Sequence, residues 1–270
     1  MSEKNRNLVI RVTTAVVLLP GVLWLIWRGG FPLALLIGAA AAACAFELNQ
    51  LPGTELSGAT IVSTAAAFLI PLLQEASPGW VTTDLVLSAV VILAFADTLL
   101  FEPHIPSAPR RVGLAVLGAA YPGLLLAALL PLRGMPRGEW WILLTLTVTW
   151  LNDSFAYFAG RAFGRRKLYE RISPSKTWEG ALGGAAGSIA GALVVRQIWL
   201  PELPAWGAAL IGAGAAVLGP LGDLSESMLK RAFGAKDSGR LLPGHGGLLD
   251  RIDALLFNAP FVLFCARLLT

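Results

Sequence analysis

Carboxylates, cations and glycines crowd into one short stretch of this sequence. Residues 222–253 carry Gly222-Asp223, Ser225-Glu226-Ser227, Lys230-Arg231, Lys236-Asp237-Ser238-Gly239, Pro243-Gly244-His245-Gly246-Gly247 and Asp250-Arg251-Ile252-Asp253. Carboxylate oxygens suit hard cations, and Mg2+ commonly bridges one or two carboxylates to substrate phosphates. Lys and Arg supply charged donors to phosphate oxygens, and a glycine-rich turn can bring backbone N–H groups to an anion. A nucleotide arriving with its metal needs both kinds of group together. A basic loop alone would explain the Lys and Arg, but not the aspartates or the Pro-Gly-His-Gly-Gly turn. His245 suits either a turn position or a phosphate contact. If the helix before Gly222 continues past it, Asp223, Ser227 and Lys230 share one face at i, i+4 and i+7. Asp250 and Asp253, at i and i+3, share a face at the start of the last helix.

Two smaller polar groups stand upstream. Asn152-Asp153-Ser154, with Tyr157, interrupts an apolar run from Trp140 to Ala159. An ionised side chain at a helix centre in a bilayer costs about 2.5–3.5 kcal/mol on insertion scales, so Asp153 needs a cation, a metal, a watery cavity or an interhelical hydrogen bond. Ser173-Pro174-Ser175-Lys176-Thr177-Trp178-Glu179-Gly180 leads directly into another apolar run. Ser175 or Thr177 suits a helix N-cap and Glu179 suits the first turn. Lys176 is unfavourable at the positive end of a helix dipole unless an anion binds there.

The elements that must position these groups follow from composition. The chain of 270 residues is 56% hydrophobic and 14% charged, with a mean hydropathy of +0.68. Soluble domains average about 45–50% apolar and about 25% charged residues. The expected class is therefore an all-α, polytopic integral membrane protein. About nine spans are expected, with eight to ten compatible: roughly 8–27, 31–46, 59–73, 84–101, 112–132, 140–160, 180–200, 205–222 and 252–269. These runs are continuously apolar and lack the alternation of a β-barrel. The first reads as a retained helix, because no signal-peptide cleavage pattern follows it. With nine spans, sixteen of the 21 Lys and Arg fall on the N-terminal side. The positive-inside rule then puts the N-terminus and both long basic segments in the cytoplasm. Residues 1–140 read as a transmembrane scaffold, and 141–270 as a transmembrane catalytic region with its site on the cytoplasmic side. Gly183, Gly187 and Gly191 recur at four-residue spacing, which suits close helix packing. Cys44 and Cys265 lie in apolar runs and match no metal-ligand spacing. The basic residues follow topology, which argues against nucleic-acid binding.

The run Ser227-x-Leu229-Lys230-Arg231-x4-Lys236-Asp237-x-Gly239-x2-Leu242-Pro243-x-His245-Gly246-Gly247-Leu248-x-Asp250-Arg251-Ile252-Asp253 resembles the signature of the phosphatidate cytidylyltransferases, the CDP-diacylglycerol synthases. Asn152-Asp153 with Tyr157, and Ser173-Pro174-Ser175-Lys176 with Glu179-Gly180, resemble further motifs of that family. The specific resemblance covers about residues 150–260. It implies transfer of the cytidylyl group of CTP to phosphatidate with Mg2+, in a helical membrane fold. It admits a monovalent cation such as K+ and a homodimer. Asp223, Asp250 and Asp253 become the implied metal-site carboxylates. Lys230 and Lys236 join them as the implied catalytic cations, with Arg231 and Arg251 beside them on substrate phosphates. Asn152, Asp153, Ser175, Lys176, Glu179, Ser227, His245, Gly246 and Gly247 complete the implied substrate contacts. The partners expected are CTP, phosphatidate and the lipid bilayer, and the location is a bacterial inner (plasma) membrane. Another CTP-using lipid enzyme, a lipid-alcohol kinase or an ether-lipid cytidylyltransferase, is the nearest rival. A membrane transporter is a further one, disfavoured because no internal repeat is evident.

Overall fold

The computed structural model describes residues 19–51, 53, 56–77, 80–239, 241 and 246–270. His245, Arg240 and the beginning of the first expected span lie outside the described residues; residues 19–28 of that span are helical. Each of the other eight apolar runs is helical, and the run 112–132 is divided into two helices. In chain order they are α1 (Gly30–Gln50), α2 (Gly58–Ala76), α3 (Trp80–Phe101), α4 (Ala108–Ala127), the short α5 (Leu129–Arg133), α6 (Gly138–Phe163), α7 (Trp178–Trp199), α8 (Ala205–Ala232) and α9 (Leu249–Leu269). The remaining regular structure among the described residues is a 3-10 turn at Ile105–Ser107 and two short strands, β1 (Lys167–Tyr169) and β2 (Ser173–Thr177). Among the described residues, seven helical segments are long and apolar enough to cross a membrane. Helix α6 is not among them, because Asn152, Asp153 and its threonines and tryptophans dilute its apolar residues. The protein is an all-α integral membrane protein. Leu85, Ile92, Leu99, Phe264 and Leu268 point outward and are mostly exposed, as lipid-facing side chains should be.

The chain forms two compact units, residues 1–130 with 237–251, and residues 131–236 with 252–270. In the first unit, α1, α2 and α4 pack on one another, and α3 packs on α2 and α4. Small side chains make this possible. Ala59, Ala94, Val112 and Ala115 form one buried cluster, and Ala66, Val90 and Ala119 another. A polar tie crosses the same interior: the buried Asn49 amide donates to Ser63 Oγ at 3.0 Å.

In the second unit the dominant contact is α6 against α7, and α7 and α6 both meet α8. The glycine stripe of α7 lies on α6, as its spacing predicts. A side chain at Gly183 would strike Ala159, one at Gly184 the amide of Asn152, one at Gly187 Phe155, and one at Gly191 Leu151. Ser188 Oγ donates to the Val148 carbonyl at 3.1 Å, and the Asn258 amide of α9 donates to Thr149 Oγ1 at 2.9 Å. Close approach recurs between α8 and α9, where a Cβ at Gly222 would stand 2.5 Å from the Asp253 carbonyl oxygen.

Candidate active site

Helix α7 begins with the cap its sequence predicts. Thr177 is in extended backbone, and its hydroxyl accepts from Gly180 N at 3.1 Å. Residues 173–177 arrive as strand β2, paired antiparallel with β1 through Lys167 opposite Thr177 and Tyr169 opposite Ser173. Glu179, in the first turn, accepts the backbone N–H groups of Arg165 and Arg166, at 3.0 Å and at 3.2 Å to the same oxygen. It thereby fastens the chain leaving α6 to the start of α7. The hairpin holds Lys176 just outside the helix N-terminus, where its charge needs an anion. That anion is Asp223 of α8: Lys176 Nζ lies 2.6 Å from Asp223 Oδ2. Asp223 also accepts from Ser227 Oγ, one turn on, at 3.3 Å.

These groups open onto a cavity of about 430 Å3 within the second unit. Its wall includes Asn152, Asp153, Tyr157, Arg161, Ser175, Lys176 and Asp223, with Ala156, Leu168, Ala181 and Pro220 as apolar neighbours. Asp153, Asp223 and Asp253 lie close enough to feel one another's charge, and Lys176 interacts with all three. Three carboxylates against Lys176 and Arg161 leave one net negative charge, which suits a cation. Among the described residues no three His, Cys, Asp or Glu side chains converge tightly enough to enclose an ion by themselves. A hard cation here would draw its other ligands from phosphate oxygens and water, the usual habit of Mg2+. Asn152 adds an unmet need: it is only 1% exposed, and among the described residues its amide oxygen has no hydrogen-bond partner.

The remaining expected residues are distributed differently. Lys230 is buried, with its Nζ 2.5 Å from Glu226 Oε2, one turn back on α8. Arg231 donates to the Ala235 carbonyl at 2.8 Å, closing the end of that helix. Lys236 and Arg251 are exposed. Asp250 belongs to the first unit, where its Oδ2 accepts from Ser238 N at 2.9 Å, Ser238 Oγ at 3.0 Å and Gly247 N at 3.2 Å. Gly246 has a φ of +84°, which a residue with a side chain rarely adopts, and Gly247 is packed tightly.

Four polar residues gain a place in the structure that the sequence reading did not give them. Arg161 lines the cavity and donates to the Tyr157 hydroxyl at 3.1 Å. Its spacing, two turns after Asp153 and one after Tyr157, is the signal that would have found it. Glu47, Glu226 and Ser238 are two acids and a hydroxyl that the fold buries. A larger cavity, about 760 Å3, lies in the first unit and is lined by none of the expected residues. The guanidinium of Arg111 there is held by Asp97 at 2.8 Å and Glu102 at 2.7 Å, so its charge is matched within the wall.

A family model described as the cytidylyltransferase family matches residues 9–269. The chain belongs to that family. Its relatives include the phosphatidate cytidylyltransferase of Brucella abortus, 36% identical over 263 residues, covering 94% of this chain and 91% of the relative. The protein of that name from Pseudomonas aeruginosa is 38% identical, with 93% of each chain covered. The one from Bacillus subtilis is 34% identical over 96% of this chain and 97% of its own.

Proposed function

We propose that this chain transfers the cytidylyl group of CTP to phosphatidate, giving CDP-diacylglycerol and pyrophosphate, from the cytoplasmic face of a bacterial inner membrane. The observation that carries this reading is the cavity in which Lys176 and Asp223 meet Asn152, Asp153 and Ser175. One such wall offers cationic donors to a phosphate and carboxylates to its metal. The apolar neighbours Ala156, Leu168 and Pro220 suit a lipid whose headgroup reaches that wall.

The reaction needs no protein general base. A phosphate monoester has its second pKa near 6, so phosphatidate is largely a dianion at pH 7. Its oxygen attacks the α-phosphorus of CTP; that P–O bond forms as the bond to the pyrophosphate oxygen breaks, and pyrophosphate leaves with the electron pair. What remains for the protein is to hold two anions together in line and to stabilise charge on the leaving group. Lys176 and Arg161 are suited to the phosphatidate phosphate, and Lys236 to the phosphates of CTP. Asp223 and Asp253 would hold Mg2+, and Asn152 and Asp153 would face the same bound substrate. Bound Mg2+ supplies positive charge to the CTP phosphates and the departing pyrophosphate. A monovalent cation such as K+ and a homodimeric assembly are part of the same reading.

The product discriminates among rivals. Detergent-purified protein is given CTP, Mg2+ and phosphatidate, an ether-linked analogue, or a lipid alcohol. Pyrophosphate release with CDP-diacylglycerol detected by mass supports the proposal. Release of CDP with phosphorylation of the alcohol would make the protein a kinase. Preference for the ether lipid would move the substrate, and no turnover by folded protein with any of them would overturn the enzymatic reading.

A further inference from the structure

Glu47 is an acid near the end of α1, almost wholly buried at 5% exposure, and nothing in its local sequence announces a role. Its carboxylate is nevertheless fully engaged. Oε1 accepts Leu248 N at 3.0 Å, and Oε2 accepts Leu249 N at 2.9 Å and Ser238 Oγ at 3.1 Å. Leu249 is the first residue of α9 and Leu248 precedes it. These are N–H groups that a helix start leaves without an internal partner, and the positive end of the dipole favours a carboxylate there. A side chain from roughly 200 positions upstream thus caps the helix whose first two turns carry Asp250 and Asp253.

The same carboxylate dictates glycine around it. A Cβ at Gly239 would come within 2.6 Å of Glu47 Oε1. One at Gly247 would come within 2.8 Å of Glu47 Oε2 and overlap the hydroxyl of Ser238. Ser238 in turn links the two acids, since its Oγ stands 3.1 Å from Glu47 and 3.0 Å from Asp250. A hydroxyl has one proton and donates to one of them at a time, so it bridges both without satisfying either alone. Glu47, Ser238 and the two glycines form one built unit around the backbone that presents Asp250.

We infer that Glu47 is a positioning residue for cytidylyl transfer: it clamps residues 237–239 and 246–251 so that the start of α9 presents its aspartates in a fixed arrangement. The inference rests on the functional reading above, and its test separates the two. Glu47→Gln keeps size and shape but puts an amide NH2 where a carboxylate oxygen met N–H donors. Ser238→Ala removes only the hydroxyl bridge. Hydrogen–deuterium exchange followed by mass spectrometry reads the clamp without any reaction. In Glu47→Gln, amides of 246–251 are expected to exchange at least about tenfold faster, with α2 and α7 peptides unchanged; Ser238→Ala should show a smaller change in the same peptides. In turnover assays Glu47→Gln should raise the Mg2+ concentration for half-maximal rate and lower kcat, with the phosphatidate KM within about twofold of wild type. Ser238→Ala should move both in the same direction by less. Unchanged exchange at 246–251 in Glu47→Gln would overturn the clamp. Faster exchange with wild-type kcat and Mg2+ dependence would overturn the link to catalysis. Faster exchange in a chain whose wild type shows no turnover would count against the functional reading and leave the clamp standing.

Discussion

Lys230 presents two accounts of one residue, and stability measurements distinguish them. By its place in the signature it is a cation for substrate phosphate; in the structure it is the buried partner of Glu226, 2.5 Å away, with side-chain exposures of 10% and 1%. At an effective dielectric of 20 the attraction at that distance is about 7 kcal/mol, most of it offset by the desolvation of both ions. The net worth of the pair is therefore small, whereas removing one member of a buried pair costs about 3–5 kcal/mol. Lys230→Met keeps the apolar stem and deletes the ammonium. It should lower the melting temperature in detergent by about 6–20 °C, at about 2–4 °C per kcal/mol. Glu226→Gln added to it removes the second buried charge and should recover part of that loss. Activity should stay low in the double variant if Lys230 also meets substrate, and return with stability if it does not. A Lys230→Met protein as stable as wild type would refute the claim that the pair is a buried, coupled unit.

Two further outcomes follow from the packing and the charges. Gly184→Ala would push a methyl group into the Asn152 amide and within 3.1 Å of Ala156 Cβ; overpacking of this kind costs about 1–3 kcal/mol. Gly113→Ala meets nothing within 4 Å and should leave thermal stability unchanged or slightly raised, so equal effects of the two substitutions would contradict the α6–α7 contact. Glu102 is held below the ordinary carboxylate value, first by the guanidinium of Arg111 and then by the His104 backbone N–H. A carboxyl lowered on folding stabilises the folded chain above its unfolded value, about 4.3, and loses that contribution as pH falls through the folded one. The wild-type melting temperature should therefore fall more steeply than that of Glu102→Gln as the solution is acidified below that value; parallel profiles would contradict the assignment.

What the sequence discloses is what depends on neighbours along the chain. Apolar run length located the helices, the Thr177 cap and its helix followed from residue type, and the continuation of α8 past Gly222 put Asp223 and Ser227 in contact. The glycine stripe of α7 found its partner surface on α6 for the same reason. The need of Lys176 for an anion was legible, but the identity of that anion was not, since Asp223 is 47 positions away. Lys230 and Glu226 are correctly spaced for a pair, yet only burial decides that the lysine faces its own helix rather than solvent. Glu47 closes the end of an apolar run and touches residues about 200 positions on, a separation over which no local pattern operates. Strands β1 and β2 are three and five residues long, too short and too polar to show an alternation.

The central claim is that chemistry occurs where Lys176 and Asp223 meet. The most direct test is steady-state pyrophosphate release with saturating CTP, Mg2+ and phosphatidate by wild type and Asp223→Asn, alongside their melting temperatures. Loss of a carboxylate that would hold the Mg2+ serving the reacting phosphates should lower kcat by about 10²–10³-fold in a protein that remains folded. Turnover by folded Asp223→Asn within about twofold of wild type would contradict the account.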